Sequence, residues 1–322
     1  MKRLAGLWTA LAGLAGASLA AWLLARAGVG PVAGLLWRAA PGLAVIVALH
    51  GVQLVLTALA WRAVMRAPSR PGAAALTLLR AVREGINTLL PLAQLGGVAV
   101  AVRLLCRRGV APSDAVAATV VDMSIEMATQ VAFTLAGLLA LVALLGRVAV
   151  AWPLLAAFLV LLAMAGALLA AQRLGLARVA ERLAARFGFG AAVAGLHGAI
   201  LASHARRAEL ARGAAWHLLA WTLGAVEVWL ALRFLGHPVG WGAALAIESL
   251  GQMVKAASFA VPASLGVLEG GYVVLGGLFG VPPDVALAMA LMKRLRELAL
   301  GAPSLVLWLR AERQARMVAP TA

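Results

Sequence analysis

The chain has 322 residues, of which 64% are hydrophobic and only 12% charged, with a mean hydropathy of +0.97. That composition excludes a soluble globular domain, because no soluble fold of this size can bury so much apolar surface. The formal charge of +16 suggests nucleic acid, but the Arg residues gather at the ends of apolar runs on one side, as membrane topology requires, and no nucleic-acid-binding motif is present.

The apolar runs are continuous and rich in Ala and Leu rather than alternating, so the spans are expected to be helices and not barrel strands. Cys106 is alone, which leaves no internal disulfide and no Cys-based metal site. His50, His197, His204, His217 and His237 are scattered without ligand spacing, so no metal is expected. The chain has no Gly-rich phosphate loop and no other cofactor fingerprint, and direct use of ATP is not expected.

Lys2 and Arg3 precede an apolar run from Leu4 to Ala25 that is long enough to span, so an uncleaved first helix is expected in preference to a cleaved signal peptide. Arg26 to Ala40, with Gly28, Gly30 and Pro31, reads as a short polar turn, and a second span covers Pro41 to Val64. From Ala73 to Cys106 the apolar pattern is broken by Arg80, Arg83, Glu84, Asn87, Pro91, Gly96, Gly97 and Arg103. Each leg is marginal for a full crossing, so a re-entrant hairpin with Pro91 to Gly97 at its tip is expected. Pro112 opens a long helix to about Leu145, and an uncharged span follows from Val148 to Ala171. Arg173, Arg178, Arg182 and Arg186 then alternate with Leu176, Val179, Leu183 and Phe187, which fits either an amphipathic helix on an anionic leaflet or a basic loop. Ala214 to Leu235 spans again, Trp241 to Val281 forms a second interrupted hairpin, and Pro283 to Leu309 is the last span.

A constant offset links the two hairpin regions. Pro91 and Pro262 are 262 − 91 = 171 positions apart, and the same offset carries Gly109 to Gly280, Pro112 to Pro283 and Glu126 to Glu297. A duplicated unit is therefore expected, with one copy over about 41–145, a linking span and amphipathic segment over 146–211, and a second copy over about 212–311 of a single transmembrane domain, 1–322. An odd number of crossings separates the copies, so they are expected to face opposite ways, as in transporters built from inverted repeats. The expected fold is thus an all-α integral membrane protein of about six full transmembrane helices and two re-entrant helical hairpins, with both termini cytoplasmic.

Charges inside the spans carry the functional signal. In the long helix Thr119, Asp122, Glu126, Thr129 and Gln130 share one face, and in the last helix Lys293, Arg296 and Glu297 share another with Arg294 at its edge. A lone Lys, Arg or Asp at mid-membrane costs about 2.5–3.5 kcal/mol on insertion scales, so these groups must face each other or water. At the common offset Glu84 corresponds to Lys255 and Asp122 to Lys293, and these opposite charges are expected to meet between the copies. Such a cluster serves either as a substrate or proton pathway or only as a lock between halves. At the tips, Pro91, Gly96, Gly97, Pro262, Gly266, Gly270 and Gly271 permit tight turns, while Asn87, Gln94, Ser258, Ser264 and Glu269 offer side-chain hydrogen bonds near helix ends suited to anionic head groups. Glu227 and Glu248 rank as weaker candidates that simply cap or pair with a nearby Arg.

The stretches Glu84-Gly-Ile-Asn-Thr-Leu-Leu-Pro-Leu-Ala-Gln-Leu-Gly-Gly97, Val261-Pro-Ala-Ser-Leu-Gly-Val-Leu-Glu-Gly-Gly271 and Lys293-Arg-Leu-Arg-Glu-Leu298, with the Asp122/Glu126/Gln130 helix, resemble the flippase-like transmembrane family whose best-known members form the membrane half of bacterial lysylphosphatidylglycerol synthases. The closest likeness is to its small, stand-alone, hopanoid-associated branch, although Val98 stands where that branch usually has an acidic residue. The resemblance implies lipid handling in the bacterial inner membrane: translocation of a polar-headed or anionic lipid, hopanoids included. Aminoacyl-lipid synthesis is not expected, since the chain ends soon after the last span. Asp122, Glu126 and Glu269 are the candidates for proton coupling, with Lys255, Lys293, Arg294 and Arg296 as head-group or counter-charge partners. The rival expectations are an intramembrane lipid-modifying enzyme and a non-transporting partner of hopanoid-pathway proteins.

Overall fold

In the computed structural model the helix boundaries follow local backbone signals. It describes residues 2–66, 70–89, 95–146, 148–186, 194–258 and 261–318. Among them are thirteen α-helices and one 3-10 turn, with no strand. They are α1 (Lys2–Ala27), α2 (Val29–Arg38), α3 (Ala40–Val64), α4 (Ala73–Leu89), α5 (Leu95–Cys106), α6 (Pro112–Leu145) and α7 (Val148–Arg173). They continue as α8 (Leu176–Arg186), α9 (Leu196–Ala205), α10 (Arg207–Phe234), α11 (Trp241–Ala257), the 3-10 turn Pro262–Ser264, α12 (Val267–Leu278) and α13 (Pro283–Val318).

Four helices are long and apolar enough to cross a membrane: α3, α6, the Leu154–Arg173 part of α7, and α10. Leu11–Ala27 and Val29–Arg38 make a fifth if the bent pair is taken as one span. The chain is therefore a multi-pass, all-helical membrane protein. The 36-residue α13 is long enough to cross but carries Lys293, Arg294, Arg296 and Glu297 in its middle. Only neighbours that meet those charges make such a helix tolerable in a bilayer. The segment expected to be a short polar turn before α3 is instead helical: α2 leaves α1 at 85°. Gly28, with φ +84, makes the bend, and Pro31 is accommodated in the first turn of α2, where its missing N–H costs nothing. The basic segment after α7 also divides, into an exposed α8 and a buried α9 that packs against α6.

The helices fall into two sets with the same spacing. α6 begins at 112 and α13 at 283, and 283 − 112 = 171. α5 ends in a turn where Gly109 (φ +83) donates its N–H to Cys106 O and Val110 donates to Leu105 O. Gly280 (φ +77) and Val281 repeat both bonds, to Gly277 O and Gly276 O, after α12. Each is a left-handed C-cap followed by proline at N1, the glycine supplying the conformation and the proline restarting the helix. The first set is α3 to α6 and the second α10 to α13.

Packing between the sets is reciprocal. α3 lies along α10, α6 packs on the leg α11, and α13 packs on the corresponding leg α4. The carbonyl of Ala81 accepts a hydrogen bond from Ser304 Oγ of α13 (3.0 Å), and that of Gln252, 171 positions on, accepts one from Gln130 Nε2 of α6 (3.1 Å). Two carbonyls at equivalent positions thus each accept from the long helix of the other set. α4 and α13 approach closely through Gly85 and Gly301. A Cβ on Gly85 would lie 2.9 Å from Ser304 Oγ and 3.0 Å from Gly301 O. Gly85→Val is therefore expected to lower thermal stability in detergent by about 1–3 kcal/mol, the usual cost of overpacking. Gly166→Val, with nothing within 4 Å of the added carbon, should leave the melting curve in place.

Candidate functional site

Seven of the twelve acidic residues lie in the helix interior: Glu84, Asp122, Glu126, Glu227, Glu248, Glu269 and Glu297. Six bases face them, namely Arg80, Arg83, Lys255, Lys293, Arg294 and Arg296. Burying so many charges is tolerable only when each is met by an opposite charge and by hydrogen bonds.

In the first set, Arg80 of α4 donates through Nη1 to Asp122 Oδ2 (2.9 Å) and through Nη2 to Glu126 Oε1 (2.6 Å) on α6. Arg83 Nη2 reaches Glu126 Oε2 at 3.4 Å, and its Nη1 lies 3.7 Å from Asp122 Oδ2. In the second set the polarity reverses. Lys293 of α13 donates to Glu248 Oε2 of α11 (2.5 Å), which also accepts from Tyr272 Oη (3.1 Å), while Gln252 Nε2 donates to Glu248 Oε1 (2.7 Å). Arg296 Nη1 is 2.6 Å from both oxygens of Glu227 on α10. Lys255 donates to Glu297 Oε1 (3.2 Å), and Arg294 donates through Nε to Glu269 Oε1 (2.7 Å) and through Nη1 to Glu297 Oε2 (3.1 Å).

These partners differ from the expected pairing of Glu84 with Lys255 and Asp122 with Lys293. Asp122 is held by Arg80 and by His217, whose Nε2 lies 3.0 Å from Asp122 Oδ1, and Lys293 is held by Glu248. Glu84 lies against His50 at 2.7 Å and Lys255 against Glu297. The physical reason is that each hairpin leg neutralises the long helix of its own set. The leg α4 is cationic against an anionic α6, and the leg α11 is anionic against a cationic α13. Among the seven carboxylates and six bases named above, every pair of Lys or Arg with a carboxylate stays within one set. Around the cavity the contacts between the sets are histidine, amide, indole and hydroxyl ones; ion pairs between the sets lie at the helix ends, where Glu312 of α13 accepts from Arg103 of α5 (3.0 Å) and from Arg107 just after it (2.8 Å). Those around the cavity are His217 to Asp122, Gln53 Nε2 to Glu227 Oε2 (3.2 Å), Trp221 Nε1 to Thr129 Oγ1 (3.2 Å), and the Gln130 and Ser304 bonds to backbone carbonyls.

A cavity of about 390 Å³ opens between the sets. Its polar wall includes Arg80, Arg83, Glu84, Asn87, Glu126, Gln130, Gln252, Lys255 and Arg296, and Met123, Met127, Leu161 and Met164 supply apolar wall. A second, largely apolar chamber of about 450 Å³ lies beside it. Ala20, Ala21 and Leu24 of α1 and Leu287, Leu291 and Leu298 of α13 wall it, with Glu269, Arg294 and Glu297 at its polar end. Thr88 and Ala263, at the two hairpin tips, line both spaces.

The tips are built differently. Asn87 Oδ1 accepts the N–H of Gly97 (3.0 Å) and ties the first leg to the start of α5, and a side chain at Gly97 would collide with Asn87 and the Arg83 carbonyl. Gly96 sits half-buried beside it. Pro91 and Gln94 lie outside the described residues. At the second tip Pro262 opens the 3-10 turn, and Ala263 (φ 54) and Ser264 (φ 50) are both left-handed without being glycine, a strained pair. Gly266 follows with φ +73, packed so closely on Gly16 of α1 that neither position has room for a Cβ. Gly270 and Gly271 let α12 approach Leu23 and Val254.

Sequence reasoning missed Arg80, Arg83, His50, His217, Gln53 and Tyr272 as members of the site and underrated Glu227 and Glu248. The available signal was the i, i+3 spacing of Arg80 and Arg83, which puts both on one face of α4 toward the Asp122 and Glu126 face of α6. Asp122, Glu126 and His217 bring ligand atoms within 4.8 Å of one another, a spacing that suits a metal ion. Here Arg80 and Arg83 already supply the positive charge to both carboxylates.

No curated protein and no solved structure gives a significant match to the chain. A family profile, lysylphosphatidylglycerol synthase TM region, matches residues 8–303. With nearly the whole length covered, the chain belongs to the lysylphosphatidylglycerol synthase TM region family.

Proposed function

We propose that the protein moves a polar-headed lipid between leaflets of the bacterial inner membrane, hopanoids being one such class, and does not alter it chemically. The observation that carries this reading is the cavity between two helix sets whose surrounding ion pairs each stay within one set. A lipid head group enters the polar cavity while its tail occupies the neighbouring apolar chamber, and Thr88 and Ala263 border both compartments. Around the cavity the sets are joined by neutral hydrogen bonds and histidines, so one can rock against the other there without separating a buried Lys or Arg from its carboxylate, with the Arg103 and Arg107 pairs to Glu312 at the helix ends as the pivot. Family membership supports a lipid-related role.

Alternating access also needs the sets to be inverted. An odd number of crossings from α3 to α10, whether the hairpins re-enter or span, supports opposite orientations of the sets with both termini cytoplasmic. Hopanoid-pathway proteins are the expected partners within the membrane. In a Cys106→Ser background, Ala111→Cys and Pro282→Cys should react with a membrane-impermeant maleimide from opposite faces; labelling from the same face would rule out inversion.

Reconstituted vesicles carrying a fluorescent head-group lipid test transport directly. Leaflet exchange should exceed that of protein-free vesicles, and mass spectrometry should recover the lipid unchanged, whereas a modified product would indicate an enzyme. Lys255→Met should slow exchange at least about tenfold, corresponding to about 1.4 kcal/mol. Its fold should survive, because Glu297 keeps Arg294 at 3.1 Å and Arg296 at 3.6 Å.

A further inference from the structure

The hydrogen bonds around His50 fix where a mobile proton sits. Glu227 is clasped by Arg296 at 2.6 Å through both oxygens, so it is ionised and can only accept. Gln53 therefore presents its NH2 to Glu227 Oε2 and its carbonyl oxygen to His50 Nδ1, 3.2 Å away. A carbonyl oxygen only accepts, so Nδ1 of His50 carries a proton. Its Nε2 lies 2.7 Å from Glu84 Oε1, a separation that needs one more proton between the two atoms. Imidazolium with carboxylate, or imidazole with carboxylic acid, both satisfy the contact; in either form the pair holds one proton beyond neutral His50 and ionised Glu84.

Charge balance leads independently to the same place. The second set carries four interior carboxylates and four bases and is neutral by itself. The first set carries Glu84, Asp122 and Glu126 against Arg80 and Arg83, one negative charge in excess. One proton on the His50 and Glu84 pair removes that excess, which a low-dielectric interior otherwise penalises. His217 needs no extra proton, since Nε2–H of a neutral ring suffices for Asp122 Oδ1.

The groups facing the pair are Glu227 of α10, 3.9 Å from His50 Nδ1, Arg296 and Glu297 of α13, and Lys255 of α11 across the cavity. On α4 itself Arg80 and Arg83 are engaged by Asp122 and Glu126 of α6. On the neighbouring α5 and α2, Arg103 is held by Glu312, and Arg38 bonds Gly34 O. Glu84 has 36% of its side chain accessible and lines the cavity, while His50 is only 10% accessible. Both side chains line the cavity, and the carboxylate is the more open of the two.

We infer that His50 and Glu84 form the proton-binding site of the carrier, and that lipid movement, on the transport reading above, is coupled to a proton loaded there rather than at Asp122, Glu126 or Glu269. When the pair gives up its proton, the first set becomes anionic and its tie through Gln53 to Glu227 of the second set is disturbed, so protonation biases how the sets meet.

Two readouts separate this inference from the transport reading. Solid-state 15N NMR of histidine-labelled protein in bilayers should show one ring with Nδ1 protonated and a strongly hydrogen-bonded Nε2, lost in His50→Gln. A bare Nδ1 on that ring would overturn the proton site whatever the protein transports. In vesicles loaded with a pH-sensitive dye, an imposed pH gradient should accelerate wild-type exchange of the fluorescent lipid at least fivefold, with accompanying proton flux. Glu84→Gln, which keeps a hydrogen-bonding group at that position, should exchange lipid at the same rate with and without the gradient. Gradient-driven exchange persisting in Glu84→Gln would overturn the coupling. Wild-type protein that moves no lipid, yet shows the protonated Nδ1, would sink the transport reading and with it the coupling, leaving the proton site standing.

Discussion

Charge buried in hydrocarbon must be neutralised within reach, and that requirement shapes this protein more than any other. Thirteen interior Lys, Arg, Asp and Glu side chains stand on helices whose surroundings are otherwise Ala, Leu and Val. Removing one partner of such a pair typically costs 3–5 kcal/mol, so the pairs dictate which faces of α4, α6, α11 and α13 meet. The apolar core then fills in around them: Trp61, Leu76, Leu79 and Ile86 in one cluster, Leu232, Ile247, Tyr272 and Met289 in another.

The two helix sets solve that problem with the same scaffold and opposite signs. Arg80 against Asp122 in one becomes Glu248 against Lys293 in the other. A duplicated segment with identical charges at both positions would place like charges near the shared centre. Sign reversal lets each set stay close to neutral alone, and the boundary around the cavity can then be polar without being ionic. That combination makes a wet cavity compatible with relative motion.

The helical plan was legible because its punctuation is local. Pro112, Pro283, Gly109 and Gly280 start and stop helices through their own backbone restrictions, so a constant offset in the sequence became a constant offset in helix boundaries. The charge-bearing faces of α6 and α13 were legible from periodicity for the same reason. The partners were not, because an offset reveals which positions are equivalent and not which ones touch. Asp122 and Lys293 are equivalent and have different neighbours. Arg80 and Arg83 read as interruptions of an apolar leg, and His50 and His217 were weighed only as metal ligands. Their roles come from α3, α4 and α10 converging, a tertiary event that no window of sequence contains. α2 was hidden because Gly28 and Pro31 signal a turn, although the helix resumes immediately after the bend.

α1 belongs to neither set, and among the described residues its small residues dock on the second tip, with Gly16 against Leu265 and Gly266. Twin halves that trade places have equal energy in both arrangements, so neither arrangement would be preferred. On the transport reading proposed above, a strut fastened to one twin lifts that degeneracy and gives the molecule a home position to which it returns between strokes.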